Sequence, residues 1–301
     1  MKNKILWIIF AALLSLFILS KLFNKKTVRS FTTDIIKIDT AAVDRIVFHN
    51  ADPNAKFEIL KNGDSWTVKN NTVEADAQIS SVSSLLNNLN NIKAQRPVAK
   101  SKDKWVEYEV DEENGKRIEL FNGSKSVEDL VIGRFNFNQQ TRSAKSYVRR
   151  SNDESVYVID GFISMSISQS MDAFRDKTVV NFPANSLVSF QLESESGSRI
   201  LKKENYWLNQ NGEVQDSTGM VNLVNNLSNV NGTGFYDSPL KNNTPIKTLT
   251  LIDTEGKSAT ISCYESDGSF VIHSSQNPDS YFKSDSSGIF KTLFLDDLLI
   301  Q

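Results

Sequence analysis

The residue types that ordinarily do chemistry are few in this chain, and their spacing does not gather them. There are two histidines, His49 and His273, and one cysteine, Cys263. A site built from several imidazoles or thiolates needs more of them. His49 follows the apolar run that ends at Phe48, and both histidines read as strand-end residues. Cys263, within Ile261–Ser262–Cys263–Tyr264, reads as a small strand residue and not as an activated thiol. Asp111–Glu112–Glu113 and Asp296–Asp297 are acidic enough to attract a cation. A hard cation, however, requires several oxygens converging in space, and neither run has an EF-hand spacing. Asn231–Gly232–Thr233–Gly234 follows a helical pattern instead of opening one, so it reads as a helix-end loop and not a phosphate cradle. Ser164, Ser166, Ser168 and Ser170 alternate within a segment whose apolar spacing is helical, and Arg149–Arg150 reads as an exposed hairpin. Nucleophile-elbow, Walker A, dinucleotide-binding and zinc-protease signatures are all missing. The expectation is a protein that is not an enzyme, with no catalytic, cofactor-binding or metal-binding residue to name.

The elements around these residues are more informative. At 301 residues the chain has room for about two domains. Of its 34 basic and 36 acidic residues, six basic and no acidic ones fall within residues 1–30, which leaves the remainder at a net charge of −8. That distribution argues against nucleic-acid binding, which needs positive charge on the folded body. The basic end brackets a membrane-like segment instead. Ile5–Ser20 carries no charge, Pro or Gly, and Leu22 and Phe23 prolong it. Sixteen helical residues rise about 24 Å, and Lys4 and Lys21 can extend their ammonium groups to the two interfaces. Residues 1–23 are therefore expected to be an N-terminal transmembrane anchor in contact with the bilayer through residues 5–23. A cleaved signal peptide is the rival, although Ile18–Leu19–Ser20 makes a poor cleavage site. Lys25–Lys26 marks the membrane interface, and charge on the two flanks does not set the orientation.

Behind a connector at 24–42, one pattern occurs twice. Strand-like runs at Val43–Phe48, Lys56–Leu60 and Trp66–Val68 surround Asn62–Gly63, a hairpin signal. Leu187–Leu192, Arg199–Lys203 and Tyr206–Asn209 answer them. Each set leads into an amphipathic helix. Val82, Leu85, Leu86, Leu89 and Ile92 match Met220, Leu223, Val224, Leu227 and Val230 at an offset of 138. Asp76 is the expected cap of the first helix, and Asp216 or Ser217 of the second. Arg117–Phe121 with Asn122–Gly123 resembles Lys247–Ile252 with Glu255–Gly256, and hairpins follow at Tyr147–Ile159 and Phe270–Lys283. Ile163, Ile167, Met171 and Phe174 close the first repeat on a helical spacing. The expected fold is α+β: a membrane helix, then tandem modules at 43–180 and 181–301, each of antiparallel strands with an amphipathic helix.

Val43–Phe48, Lys61–Val68, the helix through Ile92, Arg117–Gly123, Val131–Gly133, Tyr147–Ile159 and Phe174–Arg175–Asp176–Lys177 together resemble the bacterial domain-of-unknown-function 4340 family. The chain departs from that family at Trp105–Val106–Glu107–Tyr108, where a Tyr-Gly-Leu-like stretch is usual. The resemblance implies a single-pass protein of the bacterial inner membrane whose body is extracytoplasmic. It also implies association with ABC-type transport, gliding or envelope-export systems, and it supplies no catalytic residue. The functional expectation is a non-enzymatic, membrane-anchored scaffold or auxiliary subunit of an envelope ABC-type transporter, with that transporter or another envelope protein as partner. An extracytoplasmic ligand- or polymer-binding module using Trp105, Tyr108, Tyr147 and Tyr236 as stacking surfaces is the alternative, and an envelope hydrolase a more distant one.

Overall fold

The computed structural model describes residues 33–34, 36, 38–49, 55–167 and 170–294. The expected anchor at 1–23, Lys25–Lys26, most of the 24–42 connector and Asp296–Asp297 lie outside the described residues. Among those described, no helix is long and apolar enough to cross a membrane.

The chain forms an α+β structure around two large antiparallel sheets. The first contains β1 (Thr33–Asp34), β2 (Arg45–His49), β3 (Phe57–Asn62), β4 (Ser65–Lys69), β5 (Glu74–Asp76), β6 (Lys93–Ala99), β7 (Lys116–Asn122), β8 (Lys125–Asn138), β9 (Ser143–Arg150) and β10 (Val156–Asp160). Their spatial order is β1-β6-β10-β9-β8-β7-β2-β3-β4-β5. After β11 (Thr178–Asn181), the second sheet is built from β12 (Leu187–Ser194), β13 (Gly197–Lys203) and β14 (Trp207–Asn209). The short β15 (Asn229–Asn231) pairs with β11, and β16 (Lys247–Asp253), β17 (Ser258–Ser266), β18 (Ser269–Ser274) and β19 (Asn277–Ser284) complete the sheet. Its order is β14-β13-β12-β16-β17-β18-β19. Read from the opposite edge, this is the order of β10-β9-β8-β7-β2-β3-β4 with each strand replaced by its later counterpart. The β1–β6 pair likewise has a counterpart in the β11–β15 pair.

The helices occupy equivalent places in the two halves. The Ile79–Asn90 helix buries Val82, Leu85, Leu86 and Leu89. The Ser217–Ser228 helix buries Met220, Leu223 and Leu227, with Val224 packed at the margin. Each covers one sheet face and closes a core: one around Ile46, Phe48, Ile59, Ile118, Leu120 and Leu130, the other around Phe190, Leu192, Leu249, Leu251, Ile261 and Cys263. Full burial of a side chain of this size contributes about 1.5–3 kcal/mol. Trp66 and Trp207 are core residues at matching places. Hairpin geometry agrees with the Asn-Gly signal but is shifted by one residue. Asn62 and Ser65 are the closing pair, and Gly63, at φ +62°, occupies the first turn position.

Two local expectations are corrected. Asp76 does not cap the first helix. It ends β5 opposite Thr67, and extended backbone continues through an Ala77–Arg175 bridge, so the helix begins only after Gln78. The second helix has the expected cap, with Asp216 accepting from the Gly219 amide. The run from Ile163 to Phe174 is not one helix either. It forms a turn at Ile163–Ser166 and a 3₁₀ turn at Met171–Ala173. The Lys116 ammonium donates to the carbonyls of Ser164 and Ile167, which engages acceptors that a continuing helix would use. Ile167 and Phe174 nevertheless remain in the first core.

The crossing between halves is short. Phe174 sits in the first core, whereas Val179 and Val180 sit in the second.

Candidate functional site

Two polar constructions stand out: a charged cleft on the first sheet and the junction between the halves. The cleft arises from strand register. Ile46 and Phe48 face the core, so His49 emerges on the opposite face. Cross-strand pairing then sets His49 beside Arg117, Arg117 beside Val131, and Val131 beside Arg149. The row is roofed by residues 102–115, in which Trp105–Val106–Glu107–Tyr108 forms a single helical turn. The cleft is half open, with a volume of about 550 Å³, and is lined by this row together with Lys102, Trp105 and Asp111–Glu112–Glu113.

Arg149 is the best-held member. It is only 4% exposed and lies 3.6 Å from the Trp105 ring centre. Its Nε donates to the Val110 carbonyl, and its Nη1 to the carbonyls of Arg150 and Ser151. Trp105 is oriented in turn, its indole N–H donating to the Glu154 carbonyl. Arg117 makes a two-pronged contact with Asp129 at 3.0 and 2.8 Å, which raises its affinity for the proton. His49 lies 3.2 Å from Glu119. Burial, followed by the nearby Arg117 charge, lowers its pKa, and these outweigh the opposing Glu119 contact. Its ring is therefore neutral at pH 7.

The cleft thus holds fixed charge of both signs. It suits a ligand bearing both, held between the guanidinium row and the acidic loop. His49 is oriented by a carboxylate as a general base would be, but its hydrogen-bond partner is Glu119, and no hydroxyl or thiol joins the pair among the described residues.

The aromatic residues considered as stacking surfaces are only partly brought together. Tyr108 and Tyr147 meet at 4.7 Å between ring centres, close to Trp105, in a small third core. Their faces are engaged by one arginine, the Arg134 guanidinium lying 5.6 and 5.5 Å from the two tyrosine rings. Tyr236 belongs to the other half, where its hydroxyl contacts Ser266 and the Pro239 carbonyl. His273 stacks on Tyr281, far in the fold from His49. Cys263 is fully buried and its thiol is pushed up to about 12 by burial, so it is inert. Asp111 is occupied in its own turn, accepting from Glu113 and Asn114. Among the described residues, no group of three or more His, Cys, Asp or Glu is arranged to hold a metal. Ser164 is a packing residue whose hydroxyl donates to the Gly133 carbonyl, while Ser168 and the Ser166 side chain lie outside what is described.

The second half makes the first distinctive. The row equivalent to His49, Arg117, Val131 and Arg149 is Glu193, Thr248, Ser262 and His273. The guanidinium row is therefore a property of one half only, and the repeated fold does not require it.

The junction centres on Arg175, which is 1% exposed. Its guanidinium lies 3.6 Å from the Phe235 ring centre, and its Nη1 contacts Asp172 at 3.3 Å and Asp237 at 3.0 Å. Around it, Asn277 donates to the carbonyls of Asp176 and Thr178, and Gly232 donates to the Lys177 carbonyl. No expectation from sequence singled out Arg175 as a joint. The available signal was a lone arginine between a core phenylalanine and the apolar Val179–Val180.

No curated protein and no solved structure matches the chain. A family model does match residues 66–251, more than half of the sequence and a span that includes both long helices, the Arg175–Asp237 contact and the cleft apart from His49. The chain therefore belongs to the family described as Domain of unknown function (DUF4340).

Proposed function

We propose that this protein is a non-enzymatic scaffold anchored in the bacterial inner membrane, with its two β-rich halves on the extracytoplasmic side, serving as an auxiliary subunit of an envelope ABC-type transport system. The observation that carries the reading is the uncharged run Ile5–Ser20 ahead of a body whose halves are pinned together by a buried arginine. A tether confines the body to the membrane plane, and a firm joint lets it present two surfaces in fixed relation. Such a part gathers or orients membrane partners without performing a reaction.

The test is carbonate washing of native membranes followed by cross-linking at native expression. Retention in the pellet with recovery of transporter subunits is the expected result. Release by carbonate removes the anchor, and retention without any transporter subunit removes the auxiliary role.

A second reading is favoured by the cleft on the first half: an extracytoplasmic ligand-binding module for a compact ligand carrying both charges. Its presence in one half alone supports this reading. Thermal-shift screening with zwitterionic saccharides and short peptides checks it, because a genuine ligand stabilises the wild type and loses its effect in Arg117→Met.

A further inference from the structure

The β8–β9 hairpin is longer than its counterpart in the second half. Beyond the core residue Ile132 it continues to the Asn138–Ser143 pair, whereas beyond Cys263 the β17–β18 hairpin closes at Ser266–Ser269. The extension also differs in kind. Phe135 and Phe137 project from one face, and Phe162 meets them at 5.2 and 6.2 Å between ring centres. Phe137 is 45%, Phe162 52% and Met165 65% exposed, so an apolar patch faces water. The corresponding turn, Glu265–Ser266–Asp267–Gly268, is acidic and carries no aromatic residue.

Charge tells the same story. Residues 130–152 contain Arg134, Arg142, Lys145, Arg149 and Arg150 and no acid. Arg149 is buried, Arg150 pairs with Glu128 and the Arg134 guanidinium lies over Tyr108 and Tyr147, while Lys145 stands beside Asn136 on the face opposite the phenylalanines, which leaves Arg142 at the tip. Asp160 stands opposite Lys145 on β10 and accepts from Gln95. Arg142, in a run without an acid from residue 130 to 152, therefore leaves the tip positive on a body that is otherwise acidic.

The position of the patch relates it to the start of the body. Thr33 pairs with Ala94, and Ala94 pairs with Ile159, three residues before Phe162. Two strand spacings amount to about 10 Å. The ten residue steps from Phe23 to Thr33 span at most about 35 Å, so a body tethered through Ile5–Phe23 keeps Thr33 within that reach of the bilayer.

We propose that the Phe137–Phe162–Met165 patch, with Arg142 at the tip of the β8–β9 hairpin, is a docking surface for the anionic lipid headgroups of the membrane that holds the anchor. Apolar rings enter the interface while the Arg142 guanidinium meets phosphate. The proposal rests on the tethered reading above and adds an orientation to it: the first half lies on the lipid, and the acidic second half is left to face partners.

The experiment uses the full chain in lipid nanodiscs. An environment-sensitive fluorophore is placed at Gln139→Cys on the hairpin tip, with Asn211→Cys in the second half as reference. Cys263 is buried and stays unlabelled. In discs containing phosphatidylglycerol the Gln139 label is expected to shift to the blue. The shift should shrink in phosphatidylcholine discs, in high salt and in Phe137→Ser/Phe162→Ser, while the Asn211 label stays unchanged.

Identical emission from the Gln139 label in both lipids overturns the proposal. So does a shift seen in native membrane vesicles but not in pure lipid discs, because the patch then meets a protein. Carbonate washing of the same preparation separates the two readings. A carbonate-resistant protein with an unshifted label loses only the docking surface, whereas one that washes off loses the tether.

Discussion

The Arg175 guanidinium lies 3.0 Å from the Asp237 carboxylate, and that contact joins the last residues of the first half to the loop following β15 in the second. Because Arg175 is 1% exposed while Asp237 is 43% exposed, the two partners contribute unequally. Water partly replaces a lost carboxylate, but nothing fills the space of a lost arginine. Arg175→Ala is expected to cost about 2–4 kcal/mol, as for other large buried truncations, and Asp237→Ala only about 1 kcal/mol. Arg175→Met, which refills the space over Phe235 without a charge, should recover most of the loss. Urea denaturation of the three variants followed by tryptophan fluorescence provides the ranking. If methionine were no better than alanine, charge and not packing would hold the joint.

Gly232 and Gly234 separate packing from chance in the Asn-Gly-Thr-Gly loop. A Cβ at Gly232 would fall 2.0 Å from Phe282 Cδ1, while one at Gly234 has open space. Phe282 is fully buried and packed against Phe235 at 5.2 Å, so its ring has little room to retreat. Gly232→Ala is expected to cost about 1–3 kcal/mol or more, and Gly234→Ala to stay within about 0.5 kcal/mol of wild type. Equal effects from both would point to a shared demand on the loop other than this ring.

Much of the fold was legible because it is local and repeated. The helical stripe at Val82–Leu89 and its counterpart at Met220–Leu227 lie in helices whose ends differ by the same offset of 138. Glycine-marked hairpins appear where the strand patterns place them. Asp76 and the Ile163–Phe174 run misled for one reason: a distant residue intervened. Arg175 extends the backbone past Asp76, and Lys116 takes the carbonyls of Ser164 and Ile167. The charged row was illegible because its members sit on β2, β7, β8 and β9, and only the ladder register brings His49, Arg117 and Arg149 into line. No short motif encodes such a row.

His49 gives stability a pH dependence of definite sign. Burial and the Arg117 charge hold its folded pKa below the ordinary value, so the unfolded chain takes up the proton first as pH falls. The stability linked to the neutral ring is complete above about pH 6.5 and is lost as pH drops below that toward the folded pKa. His49→Gln lacks this dependence. The urea midpoint of wild type should therefore fall relative to the variant between about pH 7 and 5, with a slope no steeper than about 1.4 kcal/mol per pH unit. Parallel pH profiles would mean that His49 titrates alike in both states.

Asp76 provides the opposite sign. Burial, then the like charges of Asp279 and Asp176, raise its folded pKa, and no hydrogen bond to its carboxylate offsets them among the described residues. A raised carboxylate favours the folded state only while protonated, so that contribution is lost as pH rises through the folded pKa. At neutral pH the ionised group works against the crossing between halves, where the Asp176 amide donates to the Asp76 carbonyl. Asp76→Asn keeps that backbone contact and removes the charge. Its Tm is expected to exceed that of wild type by about 1–3 °C at pH 7 and to match it near pH 3.5, below the ordinary carboxylate value. Since the repulsion is shared, Asp279→Asn should also stabilise at pH 7, and the double variant should gain less than the sum. A gain from Asp76→Asn that persisted unchanged at pH 3.5 would have to come from the amide itself and not from relief of charge.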